Sequence, residues 1–285
     1  MAQRRMTNRQ LELRNKWIMT GILVLIGVAI YTMIKMSTAA YEESMEDRRI
    51  TVNATYKQAR NLQLKAGPVI SDGVTWTRAD AGDIDRFMQP DKLYFHPEQR
   101  YQFLNLKMSQ HIRASALDEL LEGQGILDGM GHAFHQASKK EDVNEIYLIS
   151  HAMLETGKGR SELARGIKLN KKGERDESGR RYYNFFGIGA YDQNPVMDGA
   201  RLAQQRGWDT PEKAVRGGAE FIHSEYLSRD NQHTLYSMRF NPVNPGHHQY
   251  ATDVMWAYHN ARQMAAYYKK MDLEGRFFTR YYYKK

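Results

Sequence analysis

Between Trp17 and Ile34 the chain reads W-I-M-T-G-I-L-V-L-I-G-V-A-I-Y-T-M-I, eighteen residues without a charge. A helix of that length rises about 27 Å, at the short end of what crosses a bilayer. Trp17 and Tyr31 suit the two interfaces, and Lys16 and Lys35 can reach outward to headgroups. The tail before the run carries Arg4, Arg5, Arg9, Arg14 and Lys16 against Glu12 alone, whereas Glu42, Glu43, Glu46 and Asp47 follow it. This asymmetry predicts a cytoplasmic tail at residues 1–16, one transmembrane helix at 17–35 and about 250 residues outside a cell membrane. A cleaved signal peptide, with S-T-A before Ala40 as its site, is the alternative; the length of the apolar run and its interruption at Lys35 weigh against it. Thr20 and Gly27, seven apart, put small side chains on one helix face. The partners expected for residues 17–34 are therefore the lipid bilayer and another integral membrane protein packed on the span.

The charge balance is just as localised. Of a net +8, residues 1–16 hold +4 and residues 269–285 another +4; with Lys35 set aside, the middle of the chain is −1. A near-neutral body with basic ends argues against a nucleic-acid partner. The absence of cysteine excludes disulfide scaffolds, Cys-containing zinc sites, thiol catalysis and iron–sulfur clusters. His, Asp and Glu remain as possible ligands, but no metal and no cofactor is expected.

Residues 36–95 are polar, with a possible strand at Thr51 to Tyr56 and turn signals at Gly67-Pro68 and Asp72-Gly73; they are read as a stalk that also packs on the domain. Beyond Pro97 the pattern is helical, and 96–285 is taken as one domain. Leu117, Leu120 and Leu121, then Met130, Phe134 and Ala137, then Ile146, Ile149, Ala152 and Met153 recur at spacings of three and four. Gly166 to Tyr183, two short apolar-aromatic stretches around a charged Gly-containing turn, predicts a projecting β-hairpin. Thr210-Pro211-Glu212 is a helix start, with helices expected near 211–228 and 251–270. The aromatic-basic C-terminus either closes the domain as helix and strand or offers rings and cations to wall polymer, headgroups or sugar.

One segment carries chemistry. In V-N-E-I-Y-L-I-S-H-A-M-L-E-T-G-K-G-R-S-E-L-A, from Val143, Ile146, Ile149 and Met153 mark a buried face, and Glu155 stands in the last turn before Thr156-Gly157 ends the helix. A carboxylic acid there has rigid backbone beneath it and a loop around it, which suits a general acid. A helix-end glutamate by itself is ordinarily a solvated surface group, and His151 one turn earlier reads as a packed, hydrogen-bonded histidine.

The string E-T-G-x-G-x-S-x-L-A resembles the catalytic-helix signature of the glycoside hydrolase family 73 peptidoglycan glucosaminidases, whose folds are related to lysozyme. Further segments are similar in the same order: L-L-E-G-Q-G-I-L-D-G-M-G-H-A-F from Leu120, Y-N-F-F-G-I-G-A-Y-D from Tyr183, G-W-D-T-P from Gly207, H-T-L-Y-S-M-R-F-N-P from His233 and G-H-H-Q-Y-A-T-D-V-M-W-A from Gly246. Position 233 departs from the family, which often has Asn there. The resemblance covers roughly residues 115–270. It implies a mainly α chain: a lysozyme-like α+β catalytic domain with a small β-hairpin lobe, preceded by one transmembrane helix.

It also implies roles. Glu155 matches the family's catalytic acid, which protonates the glycosidic oxygen as oxocarbenium character develops. A second carboxylate is proposed on the β-lobe, where the hairpin offers Glu174, Asp176 and Glu177, with Glu177 preferred; hairpin acids are otherwise solvated charges. Tyr250 matches the tyrosine at the reaction centre, to stabilise charge or orient the 2-acetamido group. Asn184 and Phe186 match the groove-lining element, and Asp192 and Trp208 are further groove candidates. The implied activity is endo-β-N-acetylglucosaminidase, hydrolysing the GlcNAc-β-1,4-MurNAc bond of peptidoglycan glycan strands in cell-wall remodelling and glycan-length control. A muramidase or lytic transglycosylase on the same scaffold, or a non-catalytic glycan-binding scaffold, remains open, as does an inverting against a substrate-assisted route.

Overall fold

The computed structural model describes residues 8–45, 48–190, 194–229 and 231–285. They fall into two compact units, residues 1–46 and 47–285. The first is one helix, α1 (Asn8–Met45), whose stretch Asn15–Met36 has a mean hydropathy of 2.2 and is long and apolar enough to cross a membrane. Its apolar side chains face outward all round, and the Thr20 hydroxyl donates back to the Lys16 carbonyl at 2.9 Å, so the helix satisfies its own polar groups.

The second unit begins with β1 (Arg48–Thr55), α2 (Tyr56–Lys65), β2 (Val69–Ser71), β3 (Trp76–Arg78), α3 (Ala81–Met88), α4 (Pro90–Tyr94), α5 (Ala114–Leu121), α6 (Gly131–Glu141) and α7 (Glu145–Glu155). It continues with α8 (Glu162–Arg165), β4 (Ile167–Leu169), β5 (Arg180–Tyr182), α9 (Pro195–Gln205), α10 (Pro211–Ile222), α11 (Leu235–Phe240), α12 (Trp256–Lys270) and β6 (Thr279–Lys284). Local chemistry sets many of the starts. Thr55 with Gln58, Asp80 with Asp83 and Thr234 with Ser237 form capping boxes, and Thr210 caps α10 with Pro211 in its first turn, the start read from sequence.

Every residue of the three- and four-spaced set, from Leu117 to Met153, is buried. From Glu145 to Met153 helix α7 is enclosed on all sides, since Glu145, Tyr147, Ser150 and His151 are buried along with Ile146 and Ile149. It packs between α6 and α12. The hairpin expected between Gly166 and Tyr183 is present: β4 and β5 pair antiparallel, Ile167 opposite Tyr182 and Leu169 opposite Arg180.

Of residues 36–95, read as a stalk that also packs on the domain, those from 48 onward lie in the second compact unit. Strand β1 pairs in parallel with β6, Ile50 opposite Tyr281, closing the two ends of the unit on each other. Residue Gln63 of α2 is fully buried; its amide donates to the Phe240 carbonyl at 2.6 Å and its oxygen accepts from Gln249 at 2.6 Å. The aromatic C-terminus closes the domain by the same pairing, with Phe278 and Tyr281 in the core.

Candidate active site

Helix α7 starts where the Asn144 side chain accepts the Tyr147 amide at 2.9 Å and donates to the Tyr268 hydroxyl at 2.8 Å. It ends because Gly157, Lys158 and Gly159 take left-handed backbone, with φ of +53°, +61° and +72°. Glycine at 159 has a second reason: a Cβ there would collide with the Gln124 carbonyl, and the Gly159 carbonyl accepts the Ile126 amide at 3.2 Å. The E-T-G-K-G and G-Q-G-I-L strings are thus two faces of one backbone contact, which fixes where α7 stops. Ser161 then caps α8 by accepting the Ala164 amide at 3.2 Å.

Glu155 emerges at this end with its side chain 28% exposed. Three neighbours stand against the carboxylate. Trp256, the first residue of α12, donates its indole N–H to Oε1 at 3.3 Å. His151, one turn back on α7, has Nε2 3.6 Å from the same oxygen. Gly187 lies against the other oxygen so closely that a Cβ there would stand 2.8 Å from Oε2. Beneath the carboxylate the rings interlock: Tyr250 stacks on Trp256 at 4.9 Å, and the edge of His151 meets Phe186, Tyr250 and Trp256 at 5.4, 4.7 and 5.4 Å. Tyr226, carried on the π-helical turn His223–Leu227, adds a further ring 4.9 Å from Tyr250.

Two buried devices hold this arrangement. Asn184 donates to the Ile188 and Gly199 carbonyls at 2.7 and 3.2 Å and accepts the Phe186 amide at 3.3 Å, tying the turn that presents Gly187. Arg239, fully buried, donates to the Asp253 and Thr252 carbonyls at 2.6 and 2.8 Å, and so braces the loop between Tyr250 and Trp256. Burial holds its pKa down to about 10. The N-terminal segment braces the same loop: the Val69 amide donates to the Thr252 carbonyl at 3.1 Å and the Val69 carbonyl accepts from Val254 at 2.9 Å.

The Tyr250 hydroxyl donates to the Phe186 carbonyl at 3.0 Å. Burial pushes this phenol well above its ordinary range, with Tyr147 and Glu155 adding to the effect, so it is a donor or acceptor of hydrogen bonds and not a base. Burial also raises the carboxyl of Asp253, which accepts the Met255 amide at 2.8 Å.

The structure gathers Glu155, Tyr250 and the Asn184–Phe186 turn, but the expected groove-lining residues face inward. Asn184 spends its amide on backbone as above, Phe186 is 1% exposed and Trp208 is 4% exposed. A Cβ on Gly218 would collide with the Phe186 ring, and one on Gly217 with the Trp208 indole, so both rings are packing residues. Asp192 lies outside the described residues. Among the described residues no hydrogen bond or ion pair joins the hairpin acids to Glu155, and each is engaged within the hairpin. Glu177 is 97% exposed and pairs with Lys168 at 3.4 Å, Glu174 accepts from Asn170 at 3.0 Å, and Asp176 caps its own turn through Ser178, which holds its carboxyl below the usual range. A hollow of about 300 Å³ opens beside the hairpin, lined by Glu162, Arg165, Lys168, Arg175, Glu177 and Arg181. Among the described residues no three His, Asp or Glu side chains converge on a metal position.

Sequence alone does not point to Trp256 and Gly187, because neither has a spacing that ties it to Glu155.

Comparison with known proteins bears on the fold that carries this site. Residues 131–269 match the glucosaminidase family model, described as mannosyl-glycoprotein endo-beta-N-acetylglucosaminidase. The chain is 43% identical over 227 residues to the bifunctional autolysin of Staphylococcus epidermidis, covering 79% of this chain and 17% of that one, so it spans about a sixth of the curated relative's length. Among solved structures, Staphylococcus aureus glucosaminidase B is 41% identical with a TM-score of 0.66, over 84% of this chain and 95% of that one. A catalytic mutant of S. aureus autolysin E, in complex with the disaccharide NAG-NAM, is 37% identical with a TM-score of 0.70, over 82% and 99% of the two chains.

Proposed function

Because the chain belongs to the glucosaminidase family, glycoside hydrolase family 73, and shares its lysozyme-like fold, we propose that it is an endo-β-N-acetylglucosaminidase. It cuts the GlcNAc-β-1,4-MurNAc bond of peptidoglycan glycan strands, with Glu155 as general acid. The observation that carries this reading is the Glu155 carboxylate at the end of a helix buried from Glu145 to Met153, held by the Trp256 indole N–H and set against Gly187. The NAG-NAM disaccharide bound by autolysin E supports the choice of substrate.

In this reading Glu155 gives its proton to the glycosidic oxygen as the sugar gains oxocarbenium character. Tyr250 has its hydroxyl proton committed to the Phe186 carbonyl, which leaves the oxygen's lone pairs to accept from the N–H of the 2-acetamido group. That orientation turns the acetamido oxygen toward the anomeric carbon. Since Glu174, Asp176 and Glu177 are solvent-facing and occupied with hairpin neighbours, the substrate-assisted route is the one we favour. Glu177→Gln then retains turnover within about threefold; a loss of about a hundredfold or more returns the second catalytic role to the hairpin.

Residues 17–34 anchor the enzyme, with the N-terminal tail in the cytoplasm and the catalytic unit on the outer face, and offer Thr20 and Gly27 to a second membrane protein. The anchor confines cutting to membrane-proximal glycan in wall remodelling and control of strand length. Product mass after reduction tests the specificity. A glucosaminidase leaves reducing N-acetylglucosamine ends; reducing or anhydro-muramic ends would instead assign a muramidase or a lytic transglycosylase.

A further inference from the structure

His151 is fully buried, and its two ring nitrogens have different surroundings. Nδ1 is 3.1 Å from the Tyr147 hydroxyl. Nε2 has no hydrogen-bond partner and points to Glu155 Oε1 at 3.6 Å. An unpartnered buried ring nitrogen is costly and calls for an explanation. The ring cannot turn away to find another partner, because Phe186, Tyr250 and Trp256 meet it edge-on.

The tautomer follows from Tyr147. Its hydroxyl has two acceptors within reach, His151 Nδ1 and the Met238 thioether at 3.6 Å. An imidazole nitrogen is far the stronger acceptor, so the hydroxyl donates to Nδ1 and the ring proton sits on Nε2. Burial pushes the Tyr147 phenol well above its ordinary range, which keeps that donor in place. Nε2–H then faces Glu155 Oε1, the same oxygen that receives the Trp256 indole N–H. The Trp256 indole N–H bonds Oε1 and the His151 N–H faces it from 3.6 Å, beyond hydrogen-bond length, which favours the proton on Oε2, beside Gly187.

We propose that His151 is a positioning residue for the acid: with its tautomer set by Tyr147, its Nε2–H faces the Glu155 Oε1 that the Trp256 indole N–H holds, so that Oε2 alone carries and delivers the proton. His151 itself transfers no proton. As Glu155 gives up its proton, the new carboxylate draws in the Nε2–H and the 3.6 Å gap closes, a contact made more fully after proton transfer than before it. The proposal rests on Glu155 being the acid.

The test uses the full-length chain in detergent, with glycan turnover and thermal melting measured on each variant. His151→Phe keeps a ring but has no donor; His151→Gln restores an N–H near the position of Nε2. The expected result for His151→Phe is a kcat lowered about tenfold to a hundredfold with KM within about twofold, and for His151→Gln a recovery of most of that loss. Tyr147→Phe, which frees the tautomer, lowers kcat about fivefold in the wild-type background and has no further effect in His151→Phe, as coupled residues require. Nitrogen NMR of the wild-type imidazole gives the neutral Nε2–H form.

Equal activity of folded His151→Phe and wild type overturns the proposal, as does a His151→Gln no better than His151→Phe, or an Nδ1–H tautomer. Should His151→Phe fail to fold, the glutamine variant and the tautomer decide. Glu155→Gln, run alongside, separates the two readings. Turnover by Glu155→Gln removes the acid assignment and His151 with it, whereas a dead Glu155→Gln beside a fully active His151→Phe removes only the positioning role.

Discussion

At the scale of single residues, Gly187 is where the account is most exposed. Its φ of +64° is one that L side chains rarely adopt, and a methyl group there would press on Glu155 Oε2, the mobile end of a flexible side chain. The carboxylate therefore gives way and not the backbone. Gly187→Ala is expected to remain folded, losing about 1–2 kcal/mol in a thermal melt for the left-handed position, while reducing-end release falls about a hundredfold because the acid is displaced. Full activity in a folded Gly187→Ala protein would mean that the carboxylate is not set by this contact. The same neighbourhood shows what single residues reveal in sequence. Glu155 was legible only when the E-T-G-x-G-x-S-x-L-A string was added to its place at a helix end, since a helix-end glutamate alone is ordinarily a solvated group. The directions of Asn184, Phe186 and Trp208 were not, because an N-x-F-G string does not say whether the ring faces a groove or the core; Gly217 and Gly218, which make room for the two rings, decide it. Trp256 reaches Glu155 across 101 residues of sequence, and no spacing rule spans that distance.

At the scale of elements, helices α5 to α7 and the β4–β5 hairpin follow from local pattern, since three- and four-residue spacing and a charged glycine turn are short-range signals. The β1–β6 pairing is not of that kind: a strand is legible at Thr51 to Tyr56, where the structure has Arg48–Thr55, but its partner starts at Thr279. His233 is one clasp of that closure. It departs from the asparagine common in the family, and here its Nε2 bonds the Thr279 hydroxyl at 2.8 Å inside the core, where burial pushes its pKa down to about 4 from an ordinary 6.5. The neutral form is the folded form, so the unfolded chain binds the extra proton between those two values. Stability from this group is complete above about pH 6.5 and falls as the pH drops toward 4, by about 3 kcal/mol in all. Denaturant titrations across that window are expected to show the fall in wild type and a smaller one in His233→Asn. Equal slopes in the two proteins would show that His233 is not the group responsible.

For the molecule as a whole, the folded unit starts near residue 48 and not at the edge of the helical pattern near residue 96. A chain beginning at residue 48 is expected to melt cooperatively as a soluble domain. One beginning at residue 81 loses β1 and the buried Gln63 contacts with the Arg239–Phe240 corner, and should not fold; a cooperative melt from it would restore the stalk reading. The span makes a separate claim. Exchanging residues 17–34 for an unrelated apolar helix of equal length should change the glycan lengths released in membranes, and the membrane proteins that co-purify, if Thr20 and Gly27 seat a partner; unchanged products leave an anchor only. All of this converges on one carboxyl group. The most direct measurement is reducing-end release from purified peptidoglycan by wild type and Glu155→Gln, with glycan binding and melting followed in the same samples. The account predicts N-acetylglucosamine ends from wild type and none above background from a Glu155→Gln protein that still folds and binds. Wild-type-like release by that variant would contradict it.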